Sequence, residues 1–160
     1  NVAGKRGTAM HNYLEYMVAG KNLLDLTEEG VEAQRMAEVV RDKGFIDLEE
    51  IWGSEVVISY PGLYAGQTDL CGIYQGRESI IDFKQSNKPK KEEWIEDYYY
   101  QMVAYAMAHD AVHGTQIEQG VILMCTPDLF FQKFVLNGAR FRQYKWKWLW
   151  RLSEYYRKKM

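Results

Sequence analysis

A chain of 160 residues, 47% hydrophobic and 14% aromatic, has the length of one domain and enough apolar content to bury a core, which excludes a disordered class. Its formal net charge of −2 gives no overall attraction for a polyanion, so any nucleic-acid binding must come from a local patch. No stretch reaches the roughly 18 apolar residues of a membrane span and no signal peptide opens the chain, so a soluble, intracellular protein is expected. Asn1 in place of Met fits a piece of a longer protein with a segment before it.

The first element reads as a helix. In KRGTAMHNYLEYMVAG, Met10, Leu14, Met17 and Val18 recur at helical spacing and Gly20 stops the run. A second helix follows in TEEGVEAQRMAEVVRDKG, with Thr27 as N-cap, acids in the first turn and Gly44 at the end. Then the period shortens to that of strands. SEVVISY, LYAGQTDLCGIY and ESIIDFKQ are β-branched or aromatic runs broken by Pro61, Gly62 and Gly76, which predicts a three-stranded antiparallel meander. Lys91 to His113 is helical again, QIEQGVILMCT and FFQKFVL supply two more strands, and GARFRQYKWKWLWRLSEYYRKK closes the chain as a helix. Helices before, between and after the strands predict an α/β or α+β architecture, with one central sheet flanked by helices and residues 1–160 forming a single domain.

Two of the strand runs carry charge where burial is expensive. In adjacent strands Asp69 and Asp82 can lie side by side, and strand alternation puts Lys84 on the same face as Asp82. Two carboxylates so placed repel, and a divalent cation resolves the conflict. Carboxylates with waters and a backbone carbonyl, which Phe83 can offer, suit Mg²⁺ or Mn²⁺, and Lys84 beside them would hold a water and stabilise developing negative charge. That is equipment for phosphodiester hydrolysis. The competing reading, a structural ion-pair cluster, is poorer because buried charge pairs seldom repay their desolvation.

GTAMH on the first helix, GQTDL and IIDFKQ on successive strands and QMVAY on the following helix occur in one order from Gly7 to Tyr105. In these elements the sequence resembles the PD-(D/E)xK nuclease superfamily, in the branch of RecB-type nuclease domains, Cas4 and the mitochondrial genome maintenance exonuclease. The resemblance implies a restriction-endonuclease-like core with a central mixed β-sheet. It implies that Asp69 and Asp82 bind the metal, that Lys84 assists the nucleophilic water, and that His11 adds an imidazole. It also implies that Gln101 and Tyr105, four apart on one helical face, look onto the active site and the nucleic-acid strand. Glu55 matches an acid of this branch that contacts metal or water. As bland alternatives, His11 is a satisfied helix histidine, Glu55 a solvated strand end, and Gln101 with Tyr105 simple packing. Iron–sulfur members carry extra cysteines; here Cys71 and Cys125 stand alone in apolar runs as structural thiols, too few for a self-contained cluster. The chain therefore looks like the cluster-free exonucleases, phage proteins among them. The expected activity is a metal-dependent DNA exonuclease, with an endonuclease of the same fold or a catalytically idle nucleic-acid-binding scaffold as alternatives.

The basic charge is concentrated at the end. From Ala139 to Met160 there are eight Lys/Arg against one acid, Glu154. Phe141, Tyr144, Trp148, Leu152 and Tyr155 form a stripe that reads as core packing. Trp146 and Trp150, set among Arg142, Lys145, Lys147 and Arg151, fall on the other side, where they would stack on bases or pack against a partner. Lys88, Lys90 and Lys91 directly follow the DFKQ strand and suit phosphates. HDAVH is not read as a zinc pair: the general-base glutamate is absent, no third ligand is evident, and Gly114 ends the helix, to whose C-terminus His113 is assigned. The expected partners are DNA, single-stranded or with a free end, and a recombination or replication protein.

Overall fold

The computed structural model describes the backbone of residues 2–60 and 64–159, with side chains for all of these except 55–60 and 64–66. The helices are α1 (Val2–Val18), α2 (Glu28–Gly44), α3 (Glu96–His113) and α4 (Gly138–Lys159). The strands are β1 (Leu48–Tyr60), β2 (Tyr64–Tyr74), β3 (Arg77–Gln85), β4 (Gln119–Cys125) and β5 (Phe131–Asn137). The break expected at Pro61 and Gly62 and the side chain of Glu55 lie outside the described residues.

Local chemistry sets the ends of these elements. The Thr27 hydroxyl accepts the Gly30 N–H (3.0 Å) and so satisfies one orphan donor at the start of α2. Gly114, left-handed at φ 69°, caps α3 by donating its N–H to the Asp110 carbonyl. Between β2 and β3 the two-residue loop Gln75–Gly76 has positive φ at both positions, 51° and 75°. This is the geometry of the tight hairpin turn whose twist matches its strands, and it places Tyr74 opposite Arg77.

The strands lie in sequence order β1-β2-β3-β4-β5. Neighbours are antiparallel except β3 and β4, which run parallel and are joined across the sheet face by α3. The expected central mixed sheet flanked by helices is the observed architecture. Leu70, Tyr74, Ile81, Phe83, Val121 and Leu123 pack on one face under α1 and α2. Cys71, Ile80, Ile122, Met124 and Leu136 pack on the other under α3 and α4. Cys71 and Cys125 are both free and buried, one in each layer. The Tyr74 hydroxyl donates to the Gly44 carbonyl (2.7 Å), pinning the end of α2 to the sheet.

One expectation is corrected. The stripe on α4 is core only at its beginning: Phe141 is buried and Tyr144 and Trp148 pack against the cluster, but Tyr155 is 52% exposed. A helix of 22 residues is about 33 Å long, whereas β4 and β5 beneath it, seven residues each, span roughly 23 Å.

β1 departs from regular pairing between Ile51 and Gly53, opposite Gly72. There the two backbones approach so closely that a β-carbon on Gly72 would overlap the Glu50 carbonyl oxygen. Gly72→Ala is therefore expected to destabilise the protein by about 1–3 kcal/mol, read as a lowered urea midpoint; an unchanged midpoint would contradict the close approach.

Candidate active site

The hairpin turn fixes which residues meet further along. Counting back from Tyr74 and Arg77, the last paired residues of β2 and β3 are Leu70 and Ile81, and the next two are Asp69 and Asp82. Beyond that point β2 pairs only with β1, from Thr68 with Val56 to Tyr64 with Tyr60, while β3 stays with β4. The strands fork, and a fork strips backbone N–H groups of their ladder partners. The two acids fill the gap. Asp69 Oδ2 accepts the Phe83 N–H (2.8 Å), and Asp82 Oδ1 accepts the Asp69 N–H at a longer 3.4 Å. The Thr68 hydroxyl also points at Asp82 Oδ1, at 3.5 Å.

His11 comes to this fork from α1. Its Nδ1 lies 2.9 Å from the Gly7 carbonyl one turn back, and its Nε2 lies 3.3 Å from Asp69 Oδ2. Burial opposes protonation of the ring, yet the hydrogen bond and charge of Asp69, with the Gly7 bond, prevail and push its pKa up to about 9. Asp82 moves in the same direction for a different reason. Burial, then the negative charge of Asp69, push its carboxyl up to about 6. It is 3% exposed, and its Oδ2 finds no hydrogen-bond donor among the described residues. Lys84, on the same side of β3, holds its ammonium 4.6 Å from the centre of the Tyr98 ring.

His11, Asp82 and the Phe83 amide are thus each linked to Asp69. Among the described residues no three His, Cys, Asp or Glu side chains converge as a ready-made metal cage, because His11 is turned to Asp69 and Asp82 to the Asp69 amide. Gln101 and Tyr105 are bonded to each other (2.9 Å) on α3, Gln101 exposed and Tyr105 packed against the core. A cleft of about 740 Å³ opens over His11 and Asp69, and Asn12, Glu15 and Gln67 line it as well. The sequence reading missed these three, although Glu15 stands one helical turn beyond His11 and Gln67 two strand positions before Asp69.

The expected cation set is divided. Lys88 and Lys90 line a separate cleft beside Tyr98, whereas Lys91 lies over Trp94 at 5.3 Å. Arg142, Lys145 and Trp146 line a third cleft of about 570 Å³ against Met107 and Asp110 of α3. Lys147 instead lies over Tyr144 (5.2 Å), and Trp150 is 66% exposed. His109 and His113 stand 4.6 Å apart, ring to ring, with His109 Nδ1 on the Thr115 hydroxyl.

No family profile matches the chain. It is 30% identical over 161 residues to mitochondrial genome maintenance exonuclease 1 of Homo sapiens, a match covering 96% of this chain and 46% of that protein. To the Mus musculus protein of the same name it is 35% identical over 98 residues, covering 58% of this chain and 28% of that one. The chain spans half or less of the length of these curated relatives. A crystal structure from Eubacterium rectale, itself only provisionally termed an exonuclease, superposes with a TM-score of 0.64 over 95% of this chain and 64% of that one; at 14% identity the likeness is one of fold. In sequence and in fold the chain is thus similar to proteins of the PD-(D/E)xK-like nuclease class. Within it, the sequence kinship is to the mitochondrial genome maintenance exonucleases.

The shifted acid and base act on stability in opposite ways. The native pKa of Asp82 lies above its ordinary 3.8, so ionising it weakens the fold as pH rises from there through about 6. Asp82→Asn is expected to be more stable than wild type above that window, by up to roughly 3 kcal/mol, and to lose the advantage below it. Protonated His11 stabilises fully below its ordinary 6.5, and that contribution is lost as pH rises through about 9. His11→Gln should accordingly be less stable than wild type at low pH and match it above that window. Urea midpoints measured across pH check both, and differences independent of pH would contradict them.

Proposed function

We propose that this chain is a single nuclease domain of a DNA exonuclease that depends on Mg²⁺ or Mn²⁺. The observation that carries the reading is the fork: two acids from separate strands repel each other at close range, one with a buried oxygen lacking a donor among the described residues, beside an imidazole. As a structural device this arrangement weakens the protein; as a cation site it makes sense.

The donors fit a small hard cation. Asp69, Asp82 and the Phe83 carbonyl supply oxygen, and His11 supplies nitrogen, which Mn²⁺ accepts more readily than Mg²⁺. Glu55 would contact the metal or its water. When bound, the metal would offset the carboxylate charges, act as a Lewis acid on the phosphate and lower the pKa of a water. With a cation in place of the proton shared with Asp69, the Gly7 carbonyl would hold Nδ1–H of the neutral imidazole and leave Nε2 for the metal. Lys84, rested on Tyr98, orients the attacking water and stabilises negative charge on the phosphate. Gln101 and Tyr105 present an amide and a phenol toward the strand. Lys88, Lys90, Lys91, Arg142, Lys145 and Lys147 take phosphates, while the exposed Trp146 and Trp150 stack on bases. The substrate is DNA with a free end, preferably single-stranded. The setting is intracellular, with a recombination or replication protein as partner; among the described residues no helix is long and apolar enough to cross a membrane.

Asp82→Asn and Lys84→Ala should each reduce cleavage of end-labelled DNA about 100-fold or more, and EDTA should abolish it, while fluorescence polarisation shows DNA binding retained. Full activity in EDTA or in the Asp82 variant would refute the site. Linear single strands should be digested much faster than covalently closed circles of the same sequence. Equal rates on the two would point to an endonuclease on the same site.

A further inference from the structure

The surface segment joining β3 to α3 is held by bonds that leave the ammonium groups of Lys88 and Lys90 unused. The Ser86 N–H donates to the Cys125 carbonyl (3.2 Å) and its hydroxyl to the Lys88 carbonyl (2.6 Å). Asn87 Oδ1 accepts from Gln85 Nε2 (3.1 Å) and from Arg6 of α1 (3.2 Å). Gln132 of β5 grips Lys90 at both backbone groups, accepting its N–H (2.8 Å) and donating to its carbonyl (2.9 Å). Among the described residues neither the Lys88 nor the Lys90 ammonium has an ion-pair partner. A rigid backbone carrying two uncompensated cations is a preorganised place for an anion.

The two lysines line a recess of about 470 Å³ together with Ala3, Ser86, Asn87 and Tyr98. That volume falls in the roughly 300–1,000 Å³ range of small-ligand sites. Tyr98 is the wall it shares with the fork, because the same ring carries the Lys84 ammonium. Two ammonium groups, neighbouring amide and hydroxyl groups and one aromatic wall are the complement of a nucleotide: phosphate for the lysines, sugar or base for the ring.

We propose that this recess is a subsite for one terminal nucleotide of the strand, recognised through its phosphate, directly beside the position of cleavage. It rests on the nuclease reading in taking that nucleotide as part of DNA, but occupation by a free mononucleotide requires no cleavage. Calorimetric titration in EDTA with thymidine 3′,5′-bisphosphate, which offers a phosphate on either side of the sugar, tests it against plain thymidine. Wild type should bind the bisphosphate more tightly than thymidine. The Lys88→Ala/Lys90→Ala double variant should lose about tenfold or more of that affinity, while the charge-matched Lys21→Ala/Lys43→Ala variant, at two exposed lysines outside the site, keeps it. Equal affinity in wild type and the Lys88/Lys90 variant, no binding by wild type at millimolar concentration, or an equal loss in both double variants would overturn the proposal. Should lysine-dependent binding appear in a protein that cleaves no DNA with Mg²⁺ or Mn²⁺, the recess stands and the nuclease reading falls; should cleavage appear with lysine-independent binding, the recess falls and the nuclease reading stands.

Discussion

Everything at the candidate site depends on how two neighbouring strands separate. Where β2 parts from β3 and keeps only β1, backbone amides that would have been ladder donors meet the side chains of Asp69 and Asp82 instead. Apolar side chains at these positions would leave those N–H groups unsatisfied, at a cost of about 1–3 kcal/mol each if buried. The acids are thus structural acceptors for the backbone, and in the proposed function their remaining oxygens hold the cation. The geometry that needs them for the backbone also forces their charges together.

The remaining elements serve that fork by limiting its freedom. α1 delivers His11 from one face of the sheet, Phe83 and Ile81 anchor β3 into the core beneath α1, and α3 brings Tyr98 to Lys84 from the other face. Asp47 adds a further tie: it accepts from Gln75 at the hairpin turn (3.2 Å) and from Lys133 of β5 (3.1 Å), so the turn that sets the register is itself held to the sheet's far edge. A slip of one residue would turn Asp82 into the layer beneath α1 and α2 and bring Phe83 out.

The helices and strands were legible because their signals are local. Thr27, Gly20 and Gly114 are caps and Gly76 is a hairpin turn, but β1 begins at Leu48, six residues before the SEVVISY run that predicts the first strand. The adjacency of Asp69 and Asp82 followed from the same local logic, since one tight turn and simple pairing bring them together. His11 was different, because no periodicity says that α1 docks beside β2; only the resemblance carried it there. The overhang of α4 was invisible because a stripe on a helix does not reveal how much surface exists to cover it. The division of the cations had the same cause. Lys90 and Lys91 are adjacent in sequence, yet Lys90 lines a recess and Lys91 lies on Trp94, a distinction made by the grip of Gln132 on the backbone.

The two contacts of Asp69 at the fork differ in what it costs to close them. Asp69 and Asp82 are joined through a short local turn, and contacts of that kind form early because closing a small loop costs little entropy. His11 reaches Asp69 from a separate element far away in the sequence, a contact with a larger loop to close. The turn alone brings the two acids together, while the imidazole that eases their repulsion depends on the docking of α1. The stability of the hairpin itself rests on the hydrophobic pairs behind the fork, Leu70 with Ile81 and Cys71 with Ile80. Loosening α1 would therefore cost the site its imidazole while leaving the two acids held side by side by the hairpin.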